Sequence, residues 1–229
     1  MPKCSTSKTR WPIFEINLSL GIMISFIWTA IRLAVGCTYK YLNGGPGSPA
    51  FLYIQRAWQS RLGNPITGWM GHSDMFEFAL DYQRDAGLRH FLTGTPPILS
   101  TALIEPGVDL LLEAGMNALR EKSVQQSNYL IGLWQAWLEP LGFSLNSPTD
   151  TAVRGSHVSL GHADGWRISQ ALIQDMQVIP DFRKPDIIRF GIAPIYTRFS
   201  DIYEALSRLR QVMDQKLYER YTLAENVVT

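Results

Sequence analysis

Cysteine and clustered charge are both scarce in this sequence. Only Cys4 and Cys37 occur among its 229 residues, and they stand in neither a metal-ligand nor a redox spacing, so we interpret both as free thiols of a reducing, cytosolic compartment. The four histidines form no His-Glu-x-x-His motif and no pair with cysteine, which argues against a bound metal. A net charge of +1 without a basic cluster argues against nucleic-acid binding.

Long hydrophobic runs are also rare, and one uncharged apolar run lies near the N-terminus. Residues 16–31 (INLSLGIMISFIWTAI) contain no charged side chain. This run is shorter than the roughly 20 apolar residues of a membrane-spanning helix, and it includes Asn17 and Ser19. We therefore expect a buried or disordered segment, with a membrane anchor as the less favoured alternative.

The rest of the chain has the patterns of a mixed α/β protein. Apolar runs predict strands at Leu33–Cys37 and Ala50–Ile54, separated by a loop rich in glycine and proline. A region from 63 to 81 lacks helical periodicity and predicts a long loop. Helical spacing predicts a long helix over residues 116–138, which Pro140 ends. Beyond it we expect strands and helices in the order 157–160, 166–174, 186–191 and 201–221.

The stretch CTYKYLNGG places Lys40 between two tyrosines at the end of an apolar strand. A lysine is disfavoured there unless it snorkels to water, pairs with an anion or acts chemically. Its amine can form a Schiff base with a carbonyl compound. The following glycines allow the backbone to approach a ligand closely, and Tyr39 offers a phenol for proton transfer. A surface lysine beside a turn is the alternative.

Three other residues are candidates on chemical grounds. Arg189 lies inside an apolar run, where a guanidinium needs an anion, either a ligand carboxylate or a protein carboxylate. Thr95 precedes a proline pair and a predicted helix, so it suits a phosphate or a helix cap. Trp69 lies in the predicted loop and fits a ligand contact or ordinary packing.

Five stretches together resemble kynureninase, from about residue 33 to about residue 217. They are CTYKYLNGGPGSPAFLYI, GWMGH, TGTPPIL, RGSHVSL and IIRFGIAPIY. The resemblance implies a homodimeric, cytoplasmic enzyme with the fold type I of pyridoxal-phosphate-dependent transferases and active sites shared between subunits. It also implies hydrolysis of L-kynurenine, or 3-hydroxykynurenine, to anthranilate, or 3-hydroxyanthranilate, and L-alanine. That reaction belongs to tryptophan catabolism and supplies NAD biosynthesis.

The resemblance assigns a role to each candidate residue. Lys40 would form the Schiff base with pyridoxal phosphate and later move the substrate's Cα proton. Tyr39 would bond the cofactor phosphate and act as an acid. Trp69 and Thr95 would reach the cofactor phosphate across the dimer interface. Arg189 would hold the α-carboxylate of the substrate.

The N-terminal region departs from the family pattern. Kynureninases carry, in an N-terminal half, an aspartate that pairs with the pyridinium nitrogen of the cofactor. They also have an Asp-x-x-His pattern about two dozen residues before the lysine, and counting back places Phe14 and Asn17 there. We therefore expect an atypical segment over 1–32, which a frameshift, a mis-set start or retained intervening sequence would explain. An incomplete α/β large domain over 33–115 and an α+β small domain over 116–229 would follow.

Two other functions remain open. A catalytically inactive fragment or dimerisation partner would keep the family sequence while lacking its own complete site. Another fold-type-I enzyme, such as an aminotransferase or a cysteine desulfurase, would use the same lysine. The absence of a suitably placed nucleophilic cysteine argues against the desulfurase.

Overall fold

A computed structural model describes residues 32–222. The uncharged run at 16–31 and Cys4 lie outside the described residues, whereas Cys37 is a free thiol. Two compact units divide the described chain, one formed by residues 32–36 and 51–96 and the other by 37–50 and 97–222. Within residues 32–222, no helix is both long and apolar enough to cross a bilayer.

The two predicted strands are confirmed, and all but one end residue of each belongs to the first unit. Strands β1 (Leu33–Cys37) and β2 (Ala50–Ile54) pair as a two-stranded sheet. Their side chains alternate between more and less exposed positions, as a strand with one covered face requires. Gly36 is tightly packed, since a Cβ atom there would lie 2.5 Å from the Phe51 ring.

The remainder of the first unit is largely irregular, in agreement with the predicted loop. Its helical pieces are short: α1 (Arg56–Gln59) and single 3-10 turns at Trp69–Gly71 and Leu88–Phe91. Arginine side chains tie this region together, because Arg84 donates to the carbonyl oxygens of Leu62 and Ser60. Backbone carbonyls that lack a strand or helix partner are satisfied in this way.

The second unit contains the long helix that the sequence predicted, preceded by two shorter helices. Helices α2 (Ile98–Ala102) and α3 (Ile104–Ala114) are followed by the long helix α4 (Met116–Trp137). Gly115 separates α3 from α4 with φ of 79°, a conformation that favours glycine. A 3-10 turn at Glu139–Leu141 follows α4, so the predicted helix ends near Pro140 as expected.

A four-stranded antiparallel sheet forms the centre of the second unit. Its strand order is β3 (Ser144–Leu145), β4 (His157–Gly161), β6 (Ile187–Gly191) and β5 (Asp181–Arg183). Helices α5 (Gly165–Gln174) and α6 (Phe199–Asp214) pack with α4 and this sheet around one apolar core. The core includes Leu130, Leu138, Phe143, Val158, Leu160, Ile168, Leu172, Ile188, Phe190, Leu206, Leu209 and Val212.

Two details of the C-terminal region correct the sequence prediction. The final helix was predicted to run to Tyr221, but α6 ends at Asp214. Lys216 adopts φ of 52°, which breaks the helix before a 3-10 turn at Leu217–Arg220. Strand β5 was not predicted, because three residues are too few to show a periodicity.

His162 makes the second unit sensitive to acid. Its ring lies 4.7 Å from the Phe143 ring, and Nδ1 accepts a hydrogen bond from the Asp164 N–H at 3.0 Å. Burial lowers the pKa of His162 from its usual 6.5, although Asp164 opposes the shift. At a pH just below 6.5, His162 therefore binds a proton more readily in the unfolded chain than in the folded chain. The stability that neutral His162 contributes is therefore fully present above about pH 6.5 and is lost as the pH falls below that value.

We accordingly expect the melting temperature to fall between about pH 7.5 and about pH 5.5, and His162→Gln to reduce that fall. Thermal unfolding followed by circular dichroism at both pH values would measure the difference. His157→Gln, which makes the same substitution at an exposed position of β4, is the matched control. An unchanged pH dependence in His162→Gln would contradict the assignment to this ring.

Candidate active site

Lys40 lies in a loop that hydrogen bonds close into a compact turn. Directly after β1, the buried Thr38 donates its hydroxyl to the Pro49 carbonyl oxygen at 2.5 Å. The N–H of Gly44 donates to the Thr38 carbonyl oxygen at 2.9 Å, and that of Asn43 donates to the Lys40 carbonyl oxygen at 3.0 Å. These bonds hold the backbone on both sides of Lys40, so the base of its side chain is fixed.

Helix α3 packs directly against this loop at a glycine. A Cβ atom on Gly107 would lie 2.5 Å from the Leu42 carbonyl oxygen and 2.8 Å from that of Asn43. Any larger residue would push on backbone atoms, which give way less easily than a flexible side chain. The loop that carries Lys40 can therefore take this position only because residue 107 is a glycine, which has no Cβ atom.

The amine of Lys40 and the phenol of Tyr39 are both accessible. Lys40 Nζ lies 5.6 Å from the centroid of the Tyr39 ring, and Tyr39 is 51% exposed. In residues 32–222, neither the Lys40 amine nor the Tyr39 hydroxyl has a hydrogen-bond or ion-pair partner. A fixed backbone with an amine that makes no hydrogen bond or ion pair, beside a phenol, suits nucleophilic attack on a carbonyl compound and proton transfer next to it.

Trp69 and Thr95 belong to the first unit, where their two chain segments meet. A Cβ atom on Gly68 would lie 1.9 Å from the Thr93 carbonyl oxygen, so these backbones touch at the residue before Trp69. A Cβ atom on Gly94 would lie 3.9 Å from the Trp69 indole nitrogen. The contact places the indole beside the turn that carries Thr95.

The side chains of Trp69 and Thr95 are available for an external contact. Trp69 is 49% exposed, with its ring 6.4 Å from that of Phe76. Thr95 is exposed, and its hydroxyl has no hydrogen-bond partner within the described part of the chain. The helix cap that we considered for Thr95 is not formed, since Pro97 occupies the N-cap of α2 without a side-chain bond.

Arg189 lies in the second unit on the face of the sheet opposite the core. It stands in β6 between the buried Ile188 and Phe190, and its register partners are Ser159 in β4 and Asp181 in β5. Alternation along a strand directs Arg189 away from the core that Ile188 and Phe190 face. Its guanidinium forms an ion pair with Asp181, so the protein-carboxylate partner that the sequence left open is present.

Lys40, Tyr39 and Arg189 thus belong to one unit, and Trp69 and Thr95 to the other. Sequence reasoning missed Asp181, which contacts Arg189, and Gly107, which allows α3 to reach the Lys40 loop. For Asp181, the alternation of polar and apolar residues in Asp-Phe-Arg at 181–183 could have indicated a short strand. Gly107 shows no sequence signal beyond a glycine in a helix.

The chain resembles a known protein family in sequence. Residues 119–209 match the family model described as the kynureninase C-terminal domain. Kynureninases from Burkholderia mallei and Pseudomonas fluorescens are each 40% identical to it over 185 residues, which cover 81% of this chain and 44% of theirs. The chain therefore spans about half the length of these curated relatives.

Solved structures show the same architecture at much lower identity. A cysteine desulfurase from Thermococcus onnurineus NA1 superposes with a TM-score of 0.67 at 14% identity, over 80% of this chain and 47% of that one. The cystine C–S lyase C-DES gives 0.56 at 20% identity, over 72% and 43%. An alanine–glyoxylate aminotransferase from Nostoc sp. gives 0.56 at 16% identity, over 82% and 49%. Identities this low establish the fold alone.

Fold and relatives together identify the class of the protein. The architecture is that of the C-terminal part of the pyridoxal-phosphate-dependent enzymes of fold type I. Within this class, the chain matches the C-terminal portion of the kynureninases in sequence. The resemblance drawn from the five sequence stretches is confirmed.

Proposed function

We propose that the chain performs the kynureninase reaction, the hydrolysis of L-kynurenine, or its 3-hydroxy form, to anthranilate, or 3-hydroxyanthranilate, and L-alanine. The observation that carries this proposal is the accessible amine of Lys40, fixed beside Tyr39 in a loop closed by hydrogen bonds. In the reaction the Cβ–Cγ bond breaks, water supplies a hydroxyl to Cγ, and Cβ gains a proton. The 40% identity to named kynureninases supports the choice of substrate.

The residues present fit pyridoxal phosphate in part. Lys40 would hold the cofactor covalently, and its amine has no competing partner among residues 32–222. Tyr39 would contact the phosphate with its exposed phenol, whereas Trp69 and Thr95 would offer an exposed indole N–H and hydroxyl to the phosphate of a partner subunit's cofactor. A variant of the similar lyase C-DES carries glycine covalently linked to its PLP cofactor. When bound, pyridoxal phosphate supplies an electron sink for charge that develops at the substrate Cα.

The side chains of this chain would divide the remaining work. Lys40 moves the proton at the substrate Cα, and Tyr39 donates a proton during hydration of the ketone and bond cleavage. Arg189 binds the α-carboxylate through its planar guanidinium, which orients the substrate. The cytoplasm and a homodimer with shared sites are the setting that we propose, with Trp69 and Thr95 reaching the partner's cofactor.

A second function follows from the N-terminal departure. Phe14 and Asn17 stand where the family pattern has aspartate and histidine, and neither can form an ion pair with a protonated pyridine nitrogen. A chain of this kind could act as a dimerisation partner, lending Trp69 and Thr95 to a complete subunit without turnover at its own Lys40.

An assay for anthranilate separates these two functions. The purified full chain is incubated with pyridoxal phosphate and L-kynurenine, and anthranilate fluorescence is followed while light scattering records the oligomeric state. Anthranilate release that requires the chain supports the kynureninase reaction. A dimer without anthranilate release would reject it and favour the partner role, whereas added 3-hydroxykynurenine tests the second substrate.

A further inference from the structure

Three charged residues meet on the open face of the four-stranded sheet. Asp181 and Arg189 are register partners on the neighbouring strands β5 and β6, and Arg183 follows Asp181 two positions later on the same side of β5. The Asp181 Oδ2 atom contacts Nη2 of Arg189 and lies 2.9 Å from Nη2 of Arg183. One carboxylate oxygen of Asp181 therefore forms ion pairs with two guanidinium groups.

Asp181 occupies only part of the Arg189 guanidinium. The contact uses Nη2 alone, and within the described residues neither Nε nor Nη1 of Arg189 has a hydrogen-bond acceptor. The Arg189 side chain is 33% exposed, so these donors can be reached from outside. A carboxylate bonds a guanidinium best through two parallel N–H groups, and Arg189 retains donors for such a contact.

The charge of the cluster also suits an incoming anion. Arg189 and Arg183 contribute two positive charges and Asp181 one negative charge, which leaves +2 − 1 = +1. Asp181 by itself would repel a substrate carboxylate, but the more exposed Arg183 offsets that charge through its own contact with Asp181. The aspartate can therefore restrain Arg189 without cancelling its attraction for an anion.

We propose that Asp181 is a positioning residue, which holds the Arg189 guanidinium in the orientation that binds the substrate α-carboxylate, and that Arg183 offsets its charge. The inference rests on the proposed function, because it assigns Arg189 the same ligand. A long arginine side chain loses rotational freedom when it binds a ligand, and a resident ion pair removes part of that cost beforehand.

If Asp181 instead competed with the substrate for Arg189, its removal would have the opposite effect on binding. A carboxylate that merely competes with the substrate for Arg189 would weaken binding, and its removal would strengthen it. A positioning carboxylate strengthens binding, and its removal weakens it. The side-chain amide that Asp181→Asn introduces keeps the acceptor oxygen without the charge, so this variant should preserve positioning and rescue the loss.

The test measures the affinity of the full chain for L-kynurenine by calorimetric titration without added pyridoxal phosphate, so that no turnover consumes the ligand, and it follows the Arg189 guanidinium by nuclear magnetic resonance of arginine Nε–H groups. Arg189→Lys identifies the Arg189 signal by its disappearance. We expect Asp181→Ala to weaken binding about tenfold and Asp181→Asn to stay within about threefold of the unmodified chain. In the ligand-free Asp181→Ala chain, the Arg189 signal should move toward that of a solvent-exposed arginine. Asp214→Ala, which removes the exposed Arg210–Asp214 pair, is the matched control and should change neither result.

Each other outcome counts against a specific claim. If Asp181→Ala melts at the same temperature and binds L-kynurenine as well as the unmodified chain or better, the positioning role is wrong while the proposed function stands. If Arg189→Lys binds as tightly as the unmodified chain, or if the unmodified chain shows no saturable binding, the carboxylate site of the proposed function fails and this inference fails with it.

Discussion

Lys40→Ala should abolish the specific covalent labelling of the chain by pyridoxal phosphate. After reduction with borohydride, peptide mass spectrometry of the unmodified chain should find about one label per chain, on the peptide that contains Lys40. The reason is positional, since the Lys40 amine is accessible, lacks a competing partner within residues 32–222 and stands 5.6 Å from the Tyr39 ring. Alanine at this position retains no amine, so both the label and any anthranilate release should be lost.

Lys122→Ala is the control for this result. Lys122 lies in the long helix α4, where alanine is well tolerated, and its removal should leave the label on Lys40 unchanged. A label that persists in Lys40→Ala, or that spreads evenly over the other lysines of the chain, would contradict a built cofactor site. The mass readout does not require turnover, so it separates cofactor attachment from the chemistry that the N-terminal departure puts in question.

Gly107→Ala should destabilise the second unit and disturb the Lys40 loop. Alanine is favoured over glycine inside a helix by about 1 kcal/mol, but at this position its Cβ atom would lie 2.5 Å from the Leu42 carbonyl oxygen. Overpacking of this kind costs about 1–3 kcal/mol, and the atoms that must move belong to the backbone of the loop. Urea unfolding should show a lower midpoint, and the pyridoxal-phosphate label on Lys40 should decrease.

Gly132→Ala makes the same substitution where there is room. Gly132 lies in α4, and a Cβ atom there would meet no atom within 4 Å. This variant should be as stable as the unmodified chain or more stable, by up to about 1 kcal/mol, with the label on Lys40 unchanged. Equal behaviour of the two variants would refute the close packing of α3 against the Lys40 loop.

Local pattern was sufficient for several features of this chain. The strands at Leu33–Cys37 and Ala50–Ile54 and the helix Met116–Trp137 follow from short apolar runs and from helical spacing, because both signals lie within one element. Lys40 and Tyr39 could be proposed together for a similar reason, since they are neighbours in the chain. Their chemistry depends on side-chain type more than on distant contacts.

Features that depend on pairing between distant segments were beyond the sequence. Strand β5 has three residues, and only its hydrogen bonds to β6 define it. The approach of Gly107 to the Leu42 carbonyl oxygen joins a helix to a loop that lies far earlier in the chain. The early end of α6 depends on the left-handed conformation of Lys216. The sequence signal for such a helix end is glycine or asparagine, and a lysine does not give it.

The sequence by itself determined which chemical groups the protein carries and which family its motifs resemble. It identified Lys40 as a candidate amine and Arg189 as a guanidinium that needs an anion, because residue type and local pattern limit what each can do. The tertiary structure alone decided that Asp181 contacts Arg189. Strand register places these residues opposite each other although eight positions separate them, and register is set by the packing of the whole sheet.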